Sequence, residues 1–338
     1  MSSPKPSAGE GIPGRPGSPL RDRLRRSSPA RSMPRRGSSV PPPDGILNVL
    51  KPVGMTSHDV VDTVRRLAGT RRVGHAGTLD PGAAGVLVLA VGRATRLAEF
   101  VAETDKEYRV EITFGRTTDT GDAYGATVAE APTVSLTADR VRDSLRAFTG
   151  EIDQVPPMAS AVHVGGRRLY ELHREGVQME VAPRRVTIYQ LELLEFVAGD
   201  PARARLHVTC SKGTYIRGLC HDIGTALGVG AHASFMVRTR VGRYLLDDAH
   251  TLEELTPAAL PAALESPEAA LADLPAVELT AVQRQAVMHG QPVPLFKVPG
   301  WQRLVQAKMV RLRDAQGLVA LARVEQGLLK PFKVMREG

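Results

Sequence analysis

The residues best suited to chemistry lie in one glycine-rich segment, GHAGTLDP at residues 74–81. It places a histidine, a threonine and the carboxylate of Asp80 among small residues, and glycine allows the backbone to approach a ligand closely. Pro81 fixes the chain directly after the carboxylate. The residues alone leave two interpretations open: a turn aspartate that accepts local backbone hydrogen bonds, or a catalytic nucleophile or base. A phosphate-binding loop is disfavoured, because the sequence lacks the G-x-x-x-x-G-K-[ST] pattern.

Five further blocks carry polar, aromatic or basic residues in a fixed order. They are NVLKPVGMTS at residues 48–57, DKEYRV at residues 105–110, GRTTDTGD at residues 115–122, QVPPMASA at residues 154–161 with a following RLY at residues 168–170, and SKGTYIR at residues 211–217. Together with the glycine-rich segment, these blocks resemble the motifs of the bacterial tRNA pseudouridine synthases of the TruB family. The resemblance covers roughly residues 44–245.

The resemblance implies a reaction. Members of the TruB family isomerise uridine 55 in the T loop of tRNA: the N1–C1′ glycosidic bond breaks, and the uracil turns and rejoins through C5. This chemistry needs no redox change and no external energy, so we expect neither a cofactor nor a metal. It needs a positioned nucleophile or base and a uridine flipped out of its stack. Whether the carboxylate attacks the base, attacks the sugar or assists a glycal-like intermediate stays open.

Three residues are implied to be catalytic. Asp80 is the nucleophile or base, and Arg217 is the guanidinium that pairs with it and favours its charged form. Tyr108 stacks on the target base, and its hydroxyl is a candidate acid or base. Pattern alone would instead make Tyr108 a core tyrosine and Arg217 a solvated helix residue.

Five more residues are implied to contact the RNA. His75 would lie against the displaced nucleotide, and Tyr215 would line the pocket. Thr239, in the block FMVRTRVG at residues 235–242, would contact the base from the pocket wall. Lys51 and Lys212 would touch phosphate, although ordinary surface lysines are the alternative for both.

Two other functions remain open. His221 and Asp222 imitate the His-Asp pair of metal-dependent phosphohydrolases, but the nine histidines show neither H-x-x-x-H nor H-E-x-x-H spacing. A noncatalytic RNA-binding or RNA-chaperone protein would use the same basic groove and aromatic platforms. An Asp80→Asn variant separates that protein from an enzyme, because only the enzyme depends on the carboxylate.

Hydrophobic spacing predicts the elements that must position these residues. Strands are expected at residues 46–50, 86–91, 106–114, 159–164, 186–196 and 204–210, and helices between Ser57 and Gly69 and at residues 138–148 and 214–227. Ser57 is the expected N-cap of the first helix and Gly69 its stop. A hairpin turn is expected at Gly165 and Gly166. Because strands and helices mix without a strict βαβ period, we expect an α+β fold whose sheet is antiparallel or mixed and flanked by helices.

The C-terminal part reads as a small β-rich unit. Thr280 and Gln283 form a capping box for a helix that ends near His289. Short strands are expected at residues 309–313 and 318–324 around a turn. We therefore expect four parts: a disordered tail (1–43), a catalytic domain (44–248), a helical linker (249–276) and a β-rich, PUA-like RNA-binding domain (277–338).

Most of the net positive charge lies in the N-terminal tail. Residues 1–43 carry a net charge of +7 with ten prolines and nine serines, which leaves +1 for residues 44–338. The tail's function stays open between a solvated extension, an RNA-touching arm and a targeting segment. The folded part must bind RNA through a local basic patch rather than through its overall charge.

The remaining composition excludes several protein classes. Two cysteines are too few for a disulfide scaffold or a four-cysteine zinc site and fit a reducing compartment. The sequence lacks an apolar run of ~18 residues, so we expect no membrane span. The expected protein is a cytoplasmic monomer whose partner is the T-arm of tRNA.

Overall fold

The structure, a computed structural model, describes residues 43–335 apart from residues 159, 161, 162, 165, 170, 171, 173, 174 and 178. The predicted tail lies outside the described residues except for Pro43, and so does part of the predicted hairpin. Within this part of the chain, none of the helices is long and apolar enough to cross a membrane.

Strands dominate the described chain. In chain order they are β1 (Gly45–Lys51), β2 (Val73–His75), β3 (Ala84–Val91), β4 (Lys106–Phe114), β5 (Arg116–Thr118), β6 (Thr127–Glu130), β7 (Gly150–Gln154), β8 (His163–Val164), β9 (Arg167–Arg168), β10 (Arg184–Val197), β11 (Arg203–Cys210), β12 (Ala231–Val241), β13 (Tyr244–Leu245), β14 (Ala276–Glu278), β15 (Val293–Pro294), β16 (Met309–Asp314), β17 (Gly317–Glu325) and β18 (Leu328–Val334). The α-helices are α1 (Ser57–Ala68), α2 (Ala98–Ala102), α3 (Ala138–Leu145), α4 (Ile216–Ala226), α5 (Leu260–Ala263) and α6 (Ala281–Met288).

One mixed sheet carries the main core. Its strand order is β1-β3-β12-β4-β11-β10-β7, with β2 added beside β3 and β13 beside β12. Strand β4 lies near the middle and pairs antiparallel with both β11 and β12. Its alternating residues, from Tyr108 to Phe114, point into a core that also holds the apolar sides of α1 and α4. The α+β class with a mixed, largely antiparallel sheet is therefore confirmed.

Helix α1 follows β1 after a short turn, and its start differs by one residue from the prediction. Thr56, not Ser57, is the N-cap: its hydroxyl accepts from the backbone of Asp59, whose carboxylate bonds back to Thr56. Ser57 is the first helical residue, and its hydroxyl bonds a distant loop instead. Gly69 ends the helix in the left-handed conformation, as predicted.

Strand β12 was not predicted from the sequence. This 11-residue strand pairs antiparallel with β4, with register shifts between Ala233 and Phe235 and between Arg238 and Arg240. Each shift inserts an extra residue and breaks the two-residue alternation by which a strand is recognised. Strands β8 and β9 form the predicted hairpin over their four described residues.

The C-terminal residues form a second sheet of order β14-β16-β17-β18-β15. It has its own apolar core, which includes Val310, Leu312 and Leu329. Helix α6 begins at the predicted capping box of Thr280 and Gln283. The two cysteines, elsewhere in the chain, are free thiols buried in the main core.

Candidate active site

Asp80 lies in the connection between β2 and β3, at a narrow surface cleft. Its side chain is 35% exposed, so solvent and a ligand can reach it. The cleft is lined by Asp80, Gly82, Ala83, Asp122, Tyr124, Arg217, Ala233, Ser234, Phe235 and Met236. These residues come from the β2–β3 connection, the β5–β6 loop, α4 and β12, so four separate segments form the cleft.

A buried arginine holds the Asp80 carboxylate. Arg217, near the start of α4 and 5% exposed, donates from Nε to Oδ2 of Asp80 at 2.8 Å. Its Nη1 donates to the carbonyl of Thr120 at 2.6 Å and lies 3.6 Å from Oδ2 of Asp122. The guanidinium thus joins the Asp80 loop to the β5–β6 loop and fixes the orientation of the carboxylate.

The turn between β1 and α1 braces the loop on both sides of Asp80. Ser57 Oγ donates to the carbonyl of Leu79 at 3.0 Å and accepts from its amide at 2.8 Å. The amide of Gly54 donates to the carbonyl of Pro81 at 2.7 Å. Both neighbours of Asp80 are therefore tied to the same turn, which restrains the backbone that carries the carboxylate.

Lys51 organises that turn and does not reach RNA phosphate, which corrects the sequence prediction. It is fully buried, and its Nζ donates to the carbonyls of Pro52 at 2.9 Å and Met55 at 2.8 Å. Burial lowers its pKa to about 8, against the opposing attraction of Asp80. Sequence spacing could not reveal this, because lysine is a surface residue in most contexts.

A second buried arginine supports the loop before Asp80. Arg238 on β12 is 2% exposed and donates to the carbonyls of Val86 at 2.8 Å, Thr78 at 3.1 Å and Gly77 at 3.2 Å. Gly85 lets β3 approach this strand, because a Cβ there would lie 2.2 Å from the Arg238 carbonyl oxygen. Arg238 lies in the block at residues 235–242, but its position in the sequence did not predict this function.

Tyr108 lies on β4, directly opposite Arg238 of β12. It is 7% exposed, and burial raises the pKa of its phenol, with Asp80 adding in the same direction and Arg238 opposing. The hydroxyl therefore stays protonated at neutral pH and is a hydrogen-bond donor near the carboxylate.

His75 and Tyr215 lie at the ends of elements next to the site. His75 ends β2, and its Nδ1 accepts from the amide of Gly77 at 3.3 Å. Tyr215 is the residue before α4, and the Gln154 carboxamide bonds both its amide at 2.7 Å and its carbonyl at 2.9 Å. Gln154 thus anchors the start of the helix that carries Arg217, a function the sequence gave no reason to assign.

Thr239 is placed away from the cleft, which corrects its predicted contact with the base. Its hydroxyl donates to Oε1 of Glu107 at 3.1 Å, and Glu107 lies on the opposite face of β4 from Tyr108. Burial raises the pKa of Glu107, but hydrogen bonds from Arg240 and Thr239 outweigh it and leave the pKa below its usual value. The bulge next to Arg238 causes the shift in register, and Met236 of the same strand lines the cleft instead.

Lys212 is exposed and pairs with Glu103, so its predicted phosphate contact stays a prediction. In the described chain, groups of three or more His, Cys, Asp or Glu residues arranged to hold a metal ion are not found. The ligand set that a phosphohydrolase would require around His221 and Asp222 is therefore not found among these residues.

Comparisons with known proteins match most of the chain. The model for the TruB family pseudouridylate synthase N-terminal domain matches residues 65–216, and that for the tRNA pseudouridylate synthase B C-terminal domain matches residues 217–275. A tRNA pseudouridine synthase B of Symbiobacterium thermophilum is 57% identical over 73% of this chain and 82% of its own. Another, of Pelotomaculum thermopropionicum, is 48% identical over 82% of this chain and 90% of its own. The chain belongs to the TruB family.

Solved structures agree with this assignment to the TruB family. A chain of a Cbf5-Nop10-Gar1 complex superposes with a TM-score of 0.65 and 28% identity, covering 86% of this chain and 85% of its own. A chain of an H/ACA ribonucleoprotein bound to a substrate RNA gives a TM-score of 0.63 and 26% identity, covering 87% of this chain and 85% of its own. The predicted fold, a pseudouridine synthase sheet with a β-rich C-terminal part, is confirmed.

Proposed function

We propose that this TruB-family protein is a tRNA pseudouridine synthase that isomerises uridine 55 of the T loop. The observation that carries the proposal is the Asp80 carboxylate, partly exposed at a cleft and held by the buried Arg217. Its relatives named tRNA pseudouridine synthase B support the substrate class. Enzymes of this type act as isomerases, since product and substrate have the same atoms.

The proposed reaction assigns each catalytic residue a task. Asp80 attacks or assists as the N1–C1′ bond of the flipped uridine breaks, and the uracil then turns and bonds C1′ through C5. N1 takes up a proton, and the hydrogen on C5 leaves as a proton. Arg217 holds the carboxylate in the attacking orientation, and the protonated Tyr108 hydroxyl donates hydrogen bonds near the reacting groups.

Recognition of the RNA rests on residues around the cleft. Tyr215 and His75, which end elements next to the loop, are proposed to contact the flipped uridine and the nucleotide it leaves. Lys212, exposed beside the start of α4, is proposed to contact phosphate. We propose that the protein acts as a cytoplasmic monomer, with residues 44–248 as catalytic domain, 249–276 as linker and 277–338 as an RNA-binding domain.

The test is incubation of the purified protein with an unmodified tRNA transcript, followed by carbodiimide treatment and primer extension. We expect one new stop at the T-loop uridine, and none in a transcript that carries cytidine at that position. Binding of the transcript without a primer-extension stop would overturn the proposed enzymatic activity and favour a noncatalytic RNA-binding protein. A stop at a different uridine would overturn the assigned position.

A further inference from the structure

One exposed aromatic ring at the cleft has no place in the reaction as described. Tyr124 lies in the loop between β5 and β6 and is 67% exposed. Its ring rests on the backbone just after Asp80: a Cβ at Gly82 would lie 2.3 Å from Tyr124 Cε2. The ring therefore contacts the β2–β3 connection on its Cδ2–Cε2 side and leaves most of its surface open to solvent at the mouth of the cleft.

The loop that presents Tyr124 is held by its own hydrogen bonds. Asp119 Oδ1 accepts from the amide of Ala126 at 2.8 Å, and the Asp119 amide donates to the Ala126 carbonyl at 3.0 Å. These bonds close the loop at its base. A ring on such a loop is presented with little loss of conformational freedom on binding, which favours its use as a contact surface.

The same loop is linked to the catalytic ion pair through one carboxylate. Asp122 Oδ1 accepts from the Tyr124 amide at 3.0 Å and from Thr120 Oγ1 at 2.8 Å. Its other oxygen, Oδ2, lies 3.6 Å from Arg217 Nη1. Asp122 therefore connects the backbone of Tyr124 to the guanidinium of Arg217.

A second aromatic side chain lines the same cleft. Phe235 on β12 is 43% exposed and lines the cleft together with Tyr124 and Asp80. Unpaired bases in RNA stack on exposed aromatic rings. Two exposed rings at one narrow opening, with a carboxylate inside, match a nucleotide chain better than a small polar ligand.

We propose that Tyr124 is a substrate-positioning residue: its exposed face stacks on a base of the RNA at the cleft mouth and sets how the target uridine enters. The inference rests on the proposed function and adds to it a residue outside the catalytic set. Because stacking holds substrate and transition state alike, its loss raises KM more than it lowers kcat.

The experiment compares Tyr124→Ala and Tyr124→Phe with the wild-type full-length chain, on a T-arm hairpin RNA. Stacking on one aromatic side chain corresponds to about 5- to 150-fold in affinity. We expect Tyr124→Ala to raise KM and the RNA Kd by about 10-fold with kcat within about 3-fold of wild type. Tyr124→Phe keeps the ring and restores wild-type values.

The matched control is Val128→Ala. Val128 lies on β6 of the same hairpin and is 61% exposed, so its truncation perturbs the same local structure without removing an aromatic ring at the cleft. We expect Val128→Ala to have the wild-type KM, kcat and RNA Kd.

Two outcomes overturn the inference: Kd and KM of Tyr124→Ala within twofold of wild type, or equal losses in Tyr124→Phe and Tyr124→Ala. Failure of the proposed function is distinguishable, because the wild-type protein then forms no pseudouridine at all. In that case the Kd comparison still tests whether Tyr124 contacts RNA.

Discussion

At the scale of single residues, two buried arginines organise the site in different ways. Arg217 bonds a carboxylate and a carbonyl from two loops, whereas Arg238 bonds three carbonyls. A planar guanidinium with five donors can satisfy several acceptors at fixed angles, which a lysine ammonium cannot do in the same geometry. The arginines therefore set both the direction of the Asp80 carboxylate and the path of the loop leading to it.

Lys51 gives a prediction of pH dependence. Its folded-state pKa of about 8 lies below the value of 10.5 for an unperturbed lysine. Between these pH values the unfolded chain binds the proton more strongly than the folded chain, so the Lys51 contribution to the free energy of unfolding rises with pH. We expect the free energy of unfolding of the wild type minus that of Lys51→Met, both measured by urea denaturation, to increase by about 1–3 kcal/mol from pH 7.5 to 10.

The control for this measurement is Lys297→Met, which alters an exposed lysine. The difference in the free energy of unfolding between wild type and Lys297→Met should change little over the same pH range. A Lys51→Met difference that stays constant with pH would contradict the buried, deprotonating lysine described here.

At the scale of elements, the Asp80 loop owes its shape to contacts from outside itself. Helix α1 holds Leu79 through Ser57, and β12 holds Gly77 and Thr78 through Arg238. A loop with glycine at several positions has much backbone freedom to lose on folding. These long-range hydrogen bonds hold the loop in one conformation, which its glycine-rich sequence alone would not do.

Ser57 tests this account of the loop. In Ser57→Ala the amide and carbonyl of Leu79 lose their partner in a buried position, which typically costs about 1–3 kcal/mol in unfolding free energy. We expect that loss, together with a lower kcat, because Leu79 directly precedes Asp80. Thr63→Ala, which removes an exposed hydroxyl from the same helix, should change stability by less than about 0.5 kcal/mol. Equal effects of the two substitutions would show that the bracing of the loop is unimportant.

Regular patterns made some elements predictable. Strand β4 has the predicted bounds because its alternation is unbroken, and α6 begins at its predicted capping box. Strand β12 was missed because two bulges interrupt its alternation. The Thr239 assignment came from the family resemblance; Thr239 is the extra residue of the second bulge, between Arg238 and Arg240, and its hydroxyl bonds Glu107.

The site could be predicted from the sequence only where a family motif assigned a function to a residue. The pairing of Asp80 with Arg217, 137 positions apart in sequence, followed from family resemblance and not from any local pattern. Arg238, Asp122 and Gln154 were missed because their partners lie on other elements. Whether such a residue is buried and bonded depends on the tertiary structure, which spacing along the chain does not report.

At the scale of the whole molecule, charge is divided unevenly between the tail and the rest of the chain. Residues 1–43 carry +7 and residues 44–338 only +1. Affinity for RNA depends on the number of phosphates neutralised and falls as salt rises. A folded part with so little net charge must rely on local contacts, so the tail is expected to add sequence-independent attraction.

Removal of residues 1–43 tests that expectation. We expect the slope of log Kd against log salt concentration for tRNA to become shallower by about 1–4, with kcat unchanged, because the residues of the cleft all lie beyond the tail. Fluorescence anisotropy at several salt concentrations measures the slope. Identical slopes for the full-length and shortened chains would show that the tail makes no ionic contact with RNA.

The most direct test of the account is single-turnover pseudouridine formation by Asp80→Asn, with tRNA binding measured in parallel. The substitution keeps the size of the side chain and removes its charge. We predict that the rate falls by at least ~10²-fold while the Kd for tRNA stays within a few-fold of wild type. Product formation at the wild-type rate would contradict the account, because the carboxylate held by Arg217 would then have no part in the chemistry.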